Sequence, residues 1–289
     1  MSRSRGAVLL LALWAVALLS AAAVALGVRI ALQLKLARRF QESRQSWYLA
    51  WAASEIAGRE LASDNELAWD APKERWGAVL PDGSPFSAGW LRYRIQDEQA
   101  RIPINCAPVE IIARLPGFSL LAADELIARR NDGKPVAHLG ELLALPGFRK
   151  EGLPELAGMA TVYGSGAVNI NTAPAPVLTH LGLSPSLSDR IAAFRLGPDG
   201  EWGTRDDGVF PDVERIIPLL EEGSGPLLPE DQTALGNLIA SQRIGVRSSF
   251  FQVEAEGWIQ TDGIHSKVSA VLERAGSSGP LVLRGWSEN

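Results

Sequence analysis

Residues 5–28 read RGAVLLLALWAVALLSAAAVALGV, and no charge interrupts the run from Gly6 to Val28. As a helix this run spans roughly 34 Å, enough for a hydrocarbon core of about 30 Å. Arg3 and Arg5 precede the run and favour a cytoplasmic N-terminus. Arg29, Lys35, Arg38 and Arg39 follow it and pull the other way. A retained membrane helix, a plain signal anchor and a cleaved signal all begin this way. Ser20-Ala21-Ala22-Ala23 offers the small residues that a signal peptidase needs.

Working outward, no proline occurs before Pro72, so the helix has no obligatory stop at the membrane. Trp47, Ala50, Trp51, Ser54, Ala57 and Leu61 recur at spacings of three and four. They predict a helical stripe of mainly small residues. One helix from about Gly6 to Leu61 is the simplest reading, and two helices broken near Gly27 the alternative. The stripe is either a packing face for partner helices or the seat of the chain's own sheet. Charge divides the chain of 289 residues at the same place. Residues 1–41 hold six basic residues and no acid, which leaves 22 basic and 33 acidic residues, a net of −11, in the remainder. A hydrophobic content of 46% supports a packed body. A lone cysteine, Cys106, excludes an internal disulfide framework and a four-thiolate zinc site.

The body reads as strand, helices, strand. Pro72, Pro81, Gly83, Pro85 and Gly89 mark a loop over 70–90. Trp90–Gln96 alternates apolar and polar residues, and Arg101–Asn105 is a shorter extended piece. Phe250–Ile259 and His265–Glu273 alternate around the turn signal Thr261-Asp262-Gly263, which predicts a hairpin. Between these ends lies a repeat. Ile104-Asn-Cys-Ala-Pro…Leu115 aligns with Ile170-Asn-Thr-Ala-Pro…Leu181 at an offset of 66, and Asp124 with Asp189 at 65. Each copy predicts a short helix, N-capped by the Asn or the Cys/Thr after it, then a glycine, Gly117 or Gly182. Second helices follow at 121–130 and 186–195, a helix–hairpin–helix-like unit used twice. Leu142–Phe148 echoes Leu115–Phe118.

Such hairpins bind DNA when two glycines present backbone N–H groups to phosphate. Here the second glycine is replaced by Ser119 and by Ser184, and basic residues are sparse around an acidic body. No nucleic acid partner is expected. Catalytic signals are also weak. His138, His180 and His265 have no ligand spacing, Cys106 occupies the place of Thr172 in the other copy, and Ser165 lacks the strand context of a nucleophile elbow. The richest acidic segment is Leu196–Gly208, with Asp199, Glu201, Asp206 and Asp207 among glycines and Asp212 shortly after. Hard oxygen donors on a glycine-permissive loop suit Ca²⁺, although the spacing is not that of an EF-hand. The alternative is a solvated Asp/Gly turn.

The short basic leader ending at Arg5-Gly6, directly before an apolar run, resembles the class III signal of type IV pilins and pseudopilins. That resemblance implies cleavage after Gly6 by a prepilin peptidase, a mature start at Ala7 and methylation of the new N-terminus. The family usually carries Glu at the fifth mature position, where this chain has Leu11. The K-type minor pseudopilin of type II secretion lacks that Glu. Together with Asn169-Ile-Asn-Thr-Ala-Pro174 and the C-terminal hairpin ending in Ser269–Arg274, the order of features is similar to that K type over nearly the whole chain. It implies an α+β, pilin-like fold: a long N-terminal transmembrane helix on an antiparallel sheet, with an inserted helical domain. The divisions expected are a leader at 1–6, a membrane helix at 7–28 and its periplasmic extension at 29–62. A first sheet part at 63–104, the insertion at 105–245 and a C-terminal hairpin and tail at 246–289 complete them. The resemblance further implies a non-enzymatic subunit of the inner membrane with a periplasmic domain. Its implied partners are I-type and J-type minor pseudopilins at the tip of a pseudopilus, met through Leu11, Trp47, Ala50, Ser54, Ala57 and Leu61. Calcium in the helical domain is implied as well. A membrane-anchored DNA receptor for competence and a minor pilin of a type IV pilus are the alternatives.

Overall fold

The computed structural model describes residues 3–64, 66, 68–77, 83–87, 89–259, 263–275 and 280–288. Pro81, and Thr261 and Asp262 of the predicted turn, lie outside the described residues.

Helix α1 runs unbroken through Arg3–Ala62, 60 residues, with no break at Gly27. Everything on it from Ala7 to Gln41 is exposed, and only its last four to five turns meet the body. After the link at 63–83 come β1 (Ser84–Phe86), β2 (Gly89–Asp97) and β3 (Ile102–Pro103). The insertion holds α2 (Val109–Ile112), α3 (Leu120–Asn131), α4 (Leu153–Met159), β4 (Ala160–Thr161), β5 (Val168–Asn169), α5 (Ala175–Leu181), α6 (Pro185–Leu196), α7 (Ile216–Ser224), α8 (Pro229–Ala240) and β6 (Ile244–Gly245). The chain then returns as β7 (Phe250–Trp258), β8 (His265–Arg274) and β9 (Leu281–Glu288).

The main sheet has the order β1-β2-β7-β8-β9, antiparallel throughout. So β2 and β7, which the whole insertion separates in the chain, are neighbours, with Arg94 opposite Glu254 and Asp97 opposite Phe251. The insertion therefore leaves and re-enters the sheet at one end of the same strand pair. Two parallel two-residue pairings, β3 with β4 and β5 with β6, stitch its ends. The predicted tail after the hairpin is a fifth strand, β9, joined to β8 through a bulge at Val271/Leu272. Its reading fails because Gly285 breaks the alternation and most of the strand is exposed. The first copy's leading helix, α2, is also shorter than its counterpart α5.

Two cores form among the described residues. Ala53, Ala57 and Leu61 of α1 pack on Leu91, Ile95, Phe251, Val253, Ala255 and Ala270 of the sheet, closed at one end by Trp76. Alternation explains this: successive inward residues of β7 are Phe251, Val253, Ala255 and Gly257, the polar ones between them facing away. The helical domain has its own larger core, with Ile104, Ile112, Leu126, Ile170, Leu178 and Phe210 fully buried.

Candidate functional site

The predicted processing point, Gly6–Ala7, lies inside α1 with no structural break beside it. Leu11 is 70% exposed, on the part of α1 that stands clear of the body. The small-residue stripe is different. Ala50 and Ala57 are fully buried, Leu61 is 1% exposed and Ser54 8%; Ala57 and Leu61 pack in the core shared with the chain's own sheet, and Ala50 stands against Gly257 of β7. This corrects their assignment to a partner face: the residues are small so that the helix can lie close to the sheet. Gly257 shows how close, since a Cβ there would stand 2.4 Å from the Ala50 nitrogen and the Ser46 carbonyl oxygen. Trp47 is half-buried and packs edge-on against Tyr48. What α1 leaves open beside the domain is the opposite face, Arg44, Tyr48, Trp51 and Glu55.

In the acidic loop the structure brings three of the five predicted carboxylates together. One oxygen each from Asp199, Asp206 and Asp207 lies within 4.8 Å of the others. Gly197, Gly200 and Gly203 have φ of +61°, +70° and +83°, which lets the loop coil back on itself. At Gly197 a Cβ would meet the Asp206 carbonyl oxygen at 2.6 Å. The Thr204 hydroxyl donates to Asp206 at 2.7 Å and to Asp207 at 3.0 Å, and the Gly203 amide donates to Asp207 at 2.8 Å. The Thr204 hydroxyl, chiefly, holds the Asp206 carboxyl below its usual range. Glu201 offers no oxygen to this group, and the Asp212 carboxylate instead accepts from the Arg215 amide ahead of α7. Three carboxylate oxygens at this spacing could together hold a hard cation. The loop is tied to the body: Lys73 donates to the Asp207 carbonyl, and Trp202 lies 5.1 Å from the Arg195 guanidinium.

The repeat is confirmed by matched contacts and corrected at its caps. Pro108 and Pro174 occupy the N-cap positions of α2 and α5 without side-chain capping bonds. The asparagines before them work at longer range. Asn105 donates to the Val136 carbonyl and accepts from the Val136 amide, while Asn171 does the same with Phe210. A second matched pair comes from the end of each second helix. Arg130 donates to the carbonyls of Ile104 and Ala107, and Arg195 to those of Ile170 and Ala173. Burial pulls the Arg195 pKa down to about 10. Ser119 and Ser184, which stand where DNA-binding hairpins carry glycine, cap α3 and α6 through bonds to the amides of Ala122 and Leu187. The first hairpin is also covered by the echoing turn: the Arg149 amide donates to the Gly117 carbonyl, and Phe118 packs on Phe148.

A polar junction between sheet and insertion has no counterpart in the sequence reading. Asp97, an inward residue at the end of β2, accepts from Asn169 at 2.9 Å, Thr172 at 2.5 Å, Ser248 at 2.6 Å and the Gln99 amide at 2.7 Å. Asn169 also donates to the Asp70 carbonyl and Ser248. Asp70 is paired with Arg274 at 2.9 Å, and Arg274 with Asp64 at 3.1 Å. Burial raises the Asp97 pKa to about 6 against the pull of its hydroxyl donors, with Asp70 adding to the rise. Burial likewise pushes up Asp70, and lifts Glu74 to about 8 with help from Asp64 and Asp70. Beside the junction a cleft of about 270 Å³ is lined by Trp76, Arg94, Arg101, Thr172 and Trp202. The only signal for this junction in the sequence was the Asn-Ile-Asn-Thr run that opens the second copy.

This arrangement has a solved counterpart. A chain of the GspK-GspI-GspJ complex, from the type 2 secretion system of enterotoxigenic Escherichia coli, superposes with a TM-score of 0.61 over 88% of this chain and 99% of that one. The chain has a pseudopilin-like fold. Sequence identity over the match is 16%, so the pseudopilin-like likeness is one of architecture. No family model and no curated protein matches the chain. The pseudopilin-like parts here are the long apolar helix, its seat on an antiparallel sheet and the helical insertion between β2 and β7.

Proposed function

We propose that this chain is a K-type minor pseudopilin of a type II secretion system, a structural subunit without catalysis. The observation that carries the reading is the coincidence of three things in one fold. These are a helix long and apolar enough to cross a membrane, a pilin-like sheet seating its last turns, and a large helical domain spliced between adjacent strands. In this reading a prepilin peptidase cuts after Gly6, the helix from Ala7 stays in the inner membrane and the domain lies in the periplasm. The subunit joins I-type and J-type minor pseudopilins to prime the pseudopilus and stands at its tip. The physical support for a tip position is twofold. Leu11 offers no carboxylate to a subunit above, and a buried charge in the membrane is tolerated only with a partner. The insertion also makes the subunit too broad to recur along a tightly packed fibre.

Calcium belongs to the same proposal. Asp199, Asp206 and Asp207 would hold it, and bound there it would offset two of the three negative charges of the converging carboxylates and fix the loop that carries Trp202. Co-expression of the full chain with I-type and J-type minor pseudopilins, followed by detergent extraction, tests the partner assignment. A stable ternary complex is the expected result. Failure of all pairings under conditions where the fold is intact would remove it.

A further inference from the structure

We propose that the segment Arg29–Arg39 of α1 is a collar that binds anionic phospholipid headgroups on the side of the membrane facing the folded domain. The inference rests on the membrane span alone and not on the pseudopilin assignment. Arg29, Lys35, Arg38 and Arg39 are exposed, and among the described residues none of them is ion-paired. No acid precedes Glu42. Between these cations stand Ile30, Leu32, Leu34 and Leu36, each 47% to 59% exposed.

Their azimuths decide the kind of partner. At about 100° per residue, Lys35, Arg38 and Arg39 fall at roughly 240°, roughly 180° and roughly 280° from Arg29. Ile30 and Leu34 fall on one side of the helix, at about 100° and about 140°. Leu32 and Leu36 fall on the other side, at about 300° and about 340°. The four cations lie on one half of the helix, whereas the apolar residues stand on two opposite sides of it, so that together the eight side chains surround the helix. A partner helix would cover a single stripe of roughly 100° and would leave polar residues opposite. The interfacial region of a bilayer meets the helix from all sides and offers acyl carbon and phosphate together, which suits apolar and basic side chains interleaved along the axis. Arg39 lies about 15 Å along the axis from Arg29. Helical side chains lean toward the N-terminus, which is the membrane side here, so the Lys and Arg heads reach back toward the headgroups. Four cations on this side also oppose the export of the domain set by Arg3 and Arg5, so their presence calls for a compensating contact.

The test uses the full chain in vesicles of phosphatidylcholine with and without phosphatidylglycerol. Flotation first establishes insertion, and native mass spectrometry then counts the lipids retained. The wild-type chain is expected to retain phosphatidylglycerol over phosphatidylcholine by at least about fivefold, the effect of one cation near such a surface. Raising the salt should erode the preference. A variant carrying Arg29→Gln, Lys35→Gln, Arg38→Gln and Arg39→Gln should insert equally and retain both lipids alike. Equal retention by the inserted wild type at low salt overturns the proposal, as does a preference that the variant keeps. If the variant fails to insert, the salt dependence of the wild type still decides. Loss of minor pseudopilin binding in the variant, with lipid retention unchanged, would show a protein interface and overturn the collar as well. A chain that never floats would refute the span itself.

Discussion

Glu74 shows how much a single residue can set. One carboxylate oxygen accepts from the Ala71 amide and the Trp76 indole, while the other is buried without a partner. Its pKa of about 8 lies above its unfolded value of 4.5, so the folded chain binds this proton more tightly than the unfolded one. Its contribution to stability is complete below about pH 4.5 and is lost as pH rises through 8. Glu74→Gln, which mimics the protonated form, should raise the Tm at pH 8.5 and leave it unchanged at pH 4.5. A uniform shift at both pH values would contradict the assignment. Asn171 makes a second residue-scale prediction. Its side chain satisfies both the amide and the carbonyl of the buried Phe210, so Asn171→Ala strands two backbone groups and should destabilise by about 1–3 kcal/mol in urea titration. The sequence showed that Asn105 and Asn171 correspond, but not what they do. A cap is a local expectation, whereas their partners are 31 and 39 residues away.

At the scale of elements, the seat of α1 on the sheet is a matter of clearance. Small residues on the helix face an absent side chain on the strand. Gly257→Ala would push a methyl into the helix backbone at 2.4 Å and should lower the Tm more than Gly236→Ala in α8, where nothing lies within 4 Å. Thermal melts of the two variants check this. The stripe was legible from its spacing except at Trp51, which faces outward, but spacing names a buried face without naming what buries it. The same limit holds for the insertion. The paired helices α3 and α6 stood within one residue of their predicted ends because serine caps and apolar periodicity are local. Of the two-residue strands, β3 lies in the extended piece read at 101–105, while β4, β5 and β6 are made by long-range pairing and left no pattern to read. The pairing of β2 with β7 is of the same kind. Alternation identified both strands, while their adjacency follows from the insertion between them.

For the whole molecule, the junction around Asp97 holds two separate cores in one orientation, and the acidic loop hangs beside it through Lys73 and Trp202. If the loop binds calcium, chelation should lower the stability of the chain. At a calcium concentration of about 100 times the Kd the difference is about 2.7 kcal/mol. Asp207→Asn should abolish that difference, and an identical melt with and without chelator would remove the site. The sequence made the acidic loop visible because its residues are contiguous. It left the junction hidden because Asp70, Asp97, Asn169, Ser248 and Arg274 come from five separate parts of the chain. The central claim, a retained pseudopilin helix rather than a cleaved signal, is tested most directly by N-terminal sequencing after co-expression with a prepilin peptidase. A mature chain beginning at Ala7 is predicted, and a chain cut after Ala22 or Ala23 would contradict it.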